Sequence, residues 1–250
     1  MSHAQIESPK GIIFNLSDFN KKAQLADWLY KYDIVAWMTS DSIDKQDKKD
    51  LAHLGKEWFC YQDKDELWHA VYGKYVYGEF NQVFHYVVDK AGKSKIVTDK
   101  VDTTISNSYS RALITANQKV SKVKDSVHIT FNQYIRLNDN KTFTVWFLPA
   151  FQKNNVVLYG GEFIYSIDPS GRKVIKDDSY YKGKFLGFKI GKPHTIMIDY
   201  SDLETPTIGA IFFVWSYKKY FTNIYIECAH SKSTAVKDEN NRYTWMHTEK

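Results

Sequence analysis

Residues 84–99 read FHYVVDKAGKSKIVTD and residues 163–178 read FIYSIDPSGRKVIKDD. Phe, Tyr, Asp, Gly, Ile and a final Asp coincide between the two segments at a constant offset of 79 residues. Each segment predicts a strand, a D-x-x-G turn and a return strand, because Asp opens such turns and Gly accepts the positive φ that follows. Two explanations stay open: a common hairpin that arose twice by chance, or a duplicated unit that gives two sheet lobes.

The segments around these hairpins alternate between helical and strand patterns. Helices are predicted around 17–30, 42–56, 103–124 and 205–219, because capping residues or apolar residues at intervals of three and four mark them. The remaining apolar residues follow a period of two in short runs separated by turn residues, and 32–38 (YDIVAWM) reads as a buried strand. This pattern predicts an α+β fold with a largely antiparallel sheet, several hairpins and about four helices.

The chain length fits one large domain. With 250 residues, of which 43% are hydrophobic, the chain can bury a stable core without a disulfide or a metal. No Pro- or Gly-rich linker divides it, so we predict a single globular domain over residues 1–250. If the domain has two lobes, the boundary is predicted near 121–126, where a helix gives way to a strand-rich half.

Targeting and charge patterns favour a cytoplasmic protein. The N-terminal MSHAQIESPKGIIF lacks the basic and apolar regions of a signal peptide, and no apolar run reaches membrane-spanning length. We therefore expect free thiols at Cys60 and Cys228 and no membrane partner. The net charge is +5, but 30 basic residues are Lys, only 4 are Arg, and they are spread along the chain. Nucleic-acid binding, through 90–124 and 172–192, is therefore the least favoured interpretation.

Catalytic and metal signatures are missing from the sequence. It contains no H-x-H, HExxH or CxxC pattern, no nucleophile elbow, no Walker loop and no dinucleotide fingerprint, so we expect no metal and no cofactor. Glu162, at the start of an apolar strand, is the best single catalytic candidate because burial would raise its pKa. His85 and His194 are the histidines that could act with it. If 68–88 forms a hairpin, His69 and His85 are predicted to approach each other near Glu79.

Aromatic residues make up 16% of the chain, and this favours sheet and protein contacts. The leading hypothesis is a non-catalytic protein-binding domain, within that class a bacterial immunity or antitoxin-type antagonist that masks a toxin. The alternative is an enzyme of unmarked, hydrolase-like type that uses Glu162 with a histidine. The predicted partner-binding residues are the aromatic side chains Trp68, Tyr72, Tyr75, Tyr77, Tyr180 and Tyr181.

Overall fold

The computed structural model describes residues 14–250, which form two compact units. The larger unit contains residues 26–191, and the smaller unit contains residues 14–25 and 192–250. The helices are α1 (Leu16–Ile43), α2 (Lys48–Leu51), α3 (Thr103–Val127) and α4 (Ile208–Tyr217). None of the helices in the described part of the chain combines the length and the apolarity that crossing a bilayer requires.

Two antiparallel meanders make up the larger unit. The first sheet has the order β1-β2-β3-β4, and the second has the order β5-β6-β7-β8, with β9 paired to the first half of β7. The strands are β1 (Phe59–Gln62), β2 (Trp68–Val76), β3 (Glu79–Val88), β4 (Ser94–Val97), β5 (Phe131–Leu137), β6 (Phe143–Pro149), β7 (Val156–Ile167), β8 (Val174–Asp177) and β9 (Tyr180–Lys189).

The first strands of the two sheets, β1 and β5, lie side by side. The amide of Gln133 on β5 donates to the backbone oxygen of Lys56, just before β1, at 2.8 Å. The carboxyl ends of both strands line one cavity, so the strands run in the same direction. The two meanders therefore extend outward from a central pair of strands.

Helices α1 and α3 cover opposite faces of this central pair. Tyr32 of α1 contacts Tyr134 of β5, with ring centroids 5.3 Å apart, and Tyr109 of α3 stacks on Phe59 of β1 at 4.5 Å. Successive side chains of a strand point to opposite faces, so Ile135, the residue after Tyr134, joins the core under α3. The buried residues of this core are Phe59, Val71, Phe80, Tyr109, Ala112, Leu113, Ala116, Val120, Ile135, Phe143, Val145, Phe147, Phe163, Tyr165 and Ile167.

The smaller unit contains a third sheet of four strands. Its strands are β10 (Thr195–Tyr200), β11 (Asn223–Cys228), β12 (Ser231–Lys237) and β13 (Tyr243–Glu249), in that order. β10 and β11 are parallel, and α4 connects them, whereas the other neighbours are antiparallel. Thr207 caps α4 by accepting a hydrogen bond from the backbone N–H of Ala210 at 3.1 Å.

The two segments that share a sequence pattern occupy matching places. Each forms the third and fourth strands of its meander, β3–β4 and β7–β8, and each meander follows a long helix. The turns match as well, because the N–H groups of Gly92 and Gly171 donate to the backbone oxygens of Asp89 and Asp168, both at 2.9 Å. Duplication of a unit made of a helix and four strands accounts for this match and stays our interpretation of it.

The α+β fold with largely antiparallel sheets and four helices is confirmed. The predicted strand at 32–38 is wrong, since these residues continue α1, and Tyr32, Val35 and Ala36 are buried at helical spacing. The predicted helix over 42–56 is shorter in the structure, because α1 ends at Ile43 and α2 covers four residues. Residues 121–126 belong to α3, and the prediction of a single domain with a boundary there stays a prediction.

Candidate functional site

Two histidines that the sequence predicts to approach each other are in direct contact. His69 on β2 and His85 on β3 lie diagonally across the strand pair, and Nδ1 of His69 is 2.8 Å from Nε2 of His85. The other ring nitrogen of His69 lies 3.1 Å from Oδ2 of Asp63, and that of His85 lies 2.9 Å from the backbone oxygen of Asp99. A chain of three hydrogen bonds therefore runs from Asp63 to Asp99.

Proton counting relates the three hydrogen bonds of this chain to its charge. The carboxylate of Asp63 and the carbonyl of Asp99 are acceptors, so three hydrogen bonds need three protons on the ring nitrogens. Two neutral imidazoles carry only two protons, so all three hydrogen bonds form together only when the chain holds one extra proton. Burial lowers the pKa of His85 and so favours its neutral form.

The environment of Asp63 favours its carboxylate form. Partial burial raises the pKa of Asp63, but hydrogen bonds from His69 and from the backbone N–H groups of Leu67 and Asp65 outweigh it, so the pKa is lowered. The ring of Tyr61 stacks on His69 with centroids 4.6 Å apart. Because both nitrogens of each histidine are engaged, neither ring has a nitrogen available for a substrate proton. The chain instead ties the β1–β2 turn and the segment after β4 to the β2–β3 pair.

A cavity of about 420 Å³ opens beside Asp63, and we call it the β1–β5 cavity. Its walls are the carboxyl ends of β1 (61–63) and β5 (135–137), with Trp28 of α1 on one side and Ile105 and Tyr109 of α3 on the other. Glu66, from the β1–β2 turn, also lines it. This volume is within the range of small-molecule binding sites.

The end of the β2–β3 hairpin carries the most exposed aromatic residue of the larger unit. Tyr77 and Gly78 form a two-residue turn with φ values of 52° and 93°, and Val76 pairs with Glu79 across it. Positive φ at both positions defines a type I′ turn, for which Asn-Gly is the preferred sequence. The Tyr77 side chain is fully exposed and makes no hydrogen bond or ring contact within residues 14–250.

The other predicted partner-binding residues have different environments. Trp68 and Tyr72 are buried, and the hydroxyl of Tyr72 hydrogen-bonds to Thr39 of α1 at 2.7 Å, so both residues belong to the core rather than to a surface. Their positions alternate with His69 and Val71, and this alternation turns them toward α1. Tyr75, Tyr180 and Tyr181 are half-buried.

The structure does not bring the catalytic candidates together. Glu162 is buried on β7, in the second sheet, and the hydrogen-bond partners of His85 are His69 and Asp99. His194 is exposed in the smaller unit, where its Nδ1 lies 3.0 Å from the backbone oxygen of Lys192.

Sequence reasoning missed the carboxylate of the histidine chain. Asp63, not the predicted Glu79, contacts His69, because Glu79 lies at the far end of the hairpin. The D-x-x-E segment at 63–66, which forms the turn before β2, is a sequence signal that could have indicated it. The cavity residue Arg136 had no such signal. Across residues 14–250, no three His, Cys, Asp or Glu side chains are grouped as a metal ion requires.

Comparisons of the chain with models of protein families, with curated proteins and with solved structures find no match. The functional interpretation therefore rests on the geometry described above.

Proposed function

We propose that this protein binds another protein and that the end of the β2–β3 hairpin forms part of the contact. The observation that carries the proposal is the conformation of Tyr77. A left-handed conformation costs a residue with a Cβ about 1–2 kcal/mol. The side chain has no contact in the described chain that offsets this cost. Strained, exposed residues concentrate at functional sites, and Tyr is a frequent residue in protein interfaces.

Half-buried Tyr75 extends the contact along the same hairpin. It lies on β2, two residues before Tyr77 of the turn. Lys74, Gly78 and Glu79 around the turn are exposed, so a partner meets a small aromatic centre with charged residues at its edge. This arrangement is typical of interface anatomy.

More specifically, we propose that the protein is a cytoplasmic, bacterial immunity-type antagonist whose partner is a toxic protein. A Lys- and Asn-rich, Arg-poor composition supports a bacterial origin with an AT-rich genome. The abundance of aromatic residues supports a protein partner rather than a membrane. The hydrolase-like alternative gains no support from the geometry, because neither ring nitrogen of His85 is free for a substrate.

The test is capture of partners from the native host by tagged protein, with the products of neighbouring genes co-expressed and mass spectrometry of the retained proteins. Three forms are compared: wild type, Tyr77→Asn, and a control, Ile175→Thr, which changes an exposed apolar residue on β8. We expect wild type and the control to retain one protein in a fixed ratio and Tyr77→Asn to lose at least about tenfold in affinity, as for an interface hot spot. Equal retention by Tyr77→Asn would refute the hairpin contact.

The toxin assignment has its own readout. Expression of the captured partner alone should stop growth, and co-expression of wild type should restore it, whereas Tyr77→Asn should not. A partner without toxicity would leave protein binding in place and overturn the antagonist proposal.

A further inference from the structure

The β1–β5 cavity lies beyond the carboxyl ends of two neighbouring strands, a position where ligands commonly bind in proteins with open sheets. β1 and β5 run in the same direction, belong to different sheets, and end at this cavity. Ligands of open α/β sheets bind in the crevice beyond the carboxyl ends of strands, at the point where the chain diverges to either side. The same crevice exists here between the two meanders, with a helix on each face.

Two hydrogen-bond donors in the cavity wall have no partner among residues 14–250. The hydroxyl of Tyr61 and the guanidinium of Arg136 both line the cavity, and within residues 14–250 neither forms a hydrogen bond or an ion pair. Desolvation, and after it the nearby charge of Asp63, raises the pKa of Tyr61, so its hydroxyl keeps its proton and can donate.

The Arg136 side chain is held in place by aromatic rings rather than by an acid. Its guanidinium carbon lies 5.5 Å from the ring centroid of Trp28 and 5.6 Å from that of Trp146. Burial lowers its pKa, although Asp139 opposes the effect, and an arginine remains charged at neutral pH. Asp139 forms no ion pair with it. Arg136 is nevertheless an exposed residue, and a guanidinium against aromatic faces leaves its N–H groups available for an oxyanion.

The acidic residues of the wall already have partners in the protein. Asp63 accepts hydrogen bonds from the ring of His69 and from the backbone N–H groups of Leu67 and Asp65, and Glu66 forms an ion pair with Lys90 at 2.6 Å. Arg136 is the one Lys or Arg side chain among the residues that line the cavity, and within residues 14–250 it forms no ion pair. The cavity presents a positive charge, a phenolic donor and the apolar surfaces of Trp28 and Ile105.

We propose that the β1–β5 cavity binds a small organic anion. A carboxylate or phosphate group of the ligand pairs with Arg136 on the α1 side of the cavity, and Tyr61 donates a hydrogen bond to the ligand from the α3 side. The apolar body of the ligand packs against Trp28, Ile105 and Tyr109. The site is distinct from the hairpin end proposed for the protein partner, because the turn at 77–78 does not line the cavity. The two proposals can therefore be tested independently of each other.

The experiment titrates full-length protein with three probes of one shape: benzoate, phenyl phosphate and neutral benzamide. Tryptophan fluorescence reports on all seven tryptophans, of which Trp28 lines the cavity, and NMR of ¹⁵N-labelled protein follows the Arg136 side-chain N–H. We expect saturable binding of benzoate or phenyl phosphate, at least about tenfold tighter than benzamide, because only the anions pair with the guanidinium. Preference for benzoate identifies a carboxylate ligand, and preference for phenyl phosphate identifies a phosphate ligand.

Variants assign the binding to these residues. Arg136→Gln should weaken binding of the preferred anion at least about tenfold, and Tyr61→Phe, which keeps the ring on His69, about two- to tenfold. Arg172→Gln removes an exposed arginine of the second sheet that does not line the cavity and should leave the affinity unchanged. Circular dichroism of each variant checks that the fold is retained.

Three outcomes would overturn the proposal. They are no saturable shift with either anion up to about 20 mM, benzamide binding as tight as that of the anions, and unchanged affinity in both Arg136→Gln and Tyr61→Phe. Tyr61→Phe removes one oxygen atom only, so it remains informative if Arg136→Gln perturbs the packing of its tryptophans.

Discussion

Asp33 should make the stability of this protein fall as the pH rises above about 4. Asp33 lies on α1, where its Oδ1 accepts hydrogen bonds from the amide of Asn132 at 2.9 Å and from the hydroxyl of Tyr134 at 3.2 Å. These bonds favour the carboxylate, but burial outweighs them and raises the pKa from 3.8 to about 6. The folded protein therefore holds this proton at a pH at which the unfolded chain has released it.

The magnitude follows from that difference in pKa. A shift from 3.8 to about 6 corresponds to about 3 kcal/mol of unfolding free energy. The stabilising contribution of the protonated form is complete below the unfolded pKa of 3.8 and is lost as the pH rises through about 6. Asp33→Asn keeps a neutral acceptor of the same shape. It should match wild type near pH 4 and exceed it by up to about 3 kcal/mol at pH 7.5.

The assay is urea unfolding of wild type, Asp33→Asn and the control Asp41→Asn across pH 4 to 8. Asp41 lies on the same helix but is exposed, so its replacement should give a constant, small difference. Subtracting each variant from wild type removes the contributions of other groups, such as His85, whose lowered pKa acts in the opposite direction. Carbon NMR of the Asp33 carboxyl provides an independent pKa. A difference between wild type and Asp33→Asn that does not change with pH would refute the reasoning.

Three further predictions concern the turns and the histidine pair. Gly92→Ala should lower the free energy of unfolding by about 1 kcal/mol through its positive φ alone. Gly171→Ala should lower it by about 2–4 kcal/mol, because the added Cβ would lie 2.6 Å from the backbone oxygen of Ser108. Equal losses of the two variants in urea unfolding would contradict this. Neutral His85 should carry its proton on Nδ1, which donates to a carbonyl, and ¹⁵N NMR that shows an Nε2–H tautomer would exclude the proposed proton arrangement. Tyr77→Asn should raise the unfolding free energy by about 1 kcal/mol, since Asn-Gly suits the type I′ turn; a loss of stability would argue against strain at this position.

Local chemistry made much of the fold predictable. The D-x-x-G turns at 89–92 and 168–171 mark hairpins because the Asp side chain accepts backbone N–H groups within the turn itself. Helix α3 was predicted at 103–124 and extends from Thr103 to Val127, because one apolar stripe faces both sheets and Asp102 caps its first turn. These signals need no information from distant residues.

The segments that were mispredicted depend on distant contacts. Residues 32–38 contain β-branched and aromatic residues with strand propensity, but the buried face of α1 continues through them as Tyr32, Val35 and Thr39. Two strands, β1 and β12, were not predicted, because FCYQ is short and SKSTAVK is largely polar. Each becomes a strand through pairing with its neighbours rather than through its own pattern.

The same distinction applies to the functional residues. The approach of His69 to His85 was predictable, since it needed only the β2–β3 hairpin. The burial of Trp68 and Tyr72 was not predictable from the hairpin alone, because both faces of the sheet are covered. The helix that covers their face is α1, part of which the sequence predicted to be a strand. Fully exposed Tyr77 was named for its residue type, and only the turn geometry shows the strain that distinguishes it.

Comparison of the two meanders bears on the proposed anion site. If the two meanders derive from one unit, Phe59 of β1 matches Tyr134 of β5, and Cys60 matches Ile135, because the residues of each pair alternate between the two helices in the same way. The next residues along the two strands, Tyr61 and Arg136, are then equivalent. The backbone then accepts either a phenol or a guanidinium at this position, so packing alone requires neither. Both side chains nevertheless line one cavity, and within residues 14–250 the donor of each is unpaired. A ligand that pairs with both donors accounts for the presence of a phenol and a guanidinium at these positions. It predicts that Tyr61→Phe and Arg136→Gln together weaken anion binding more than either change alone. A cavity that only separates the two sheets would bind no anion in wild type or in any of these variants.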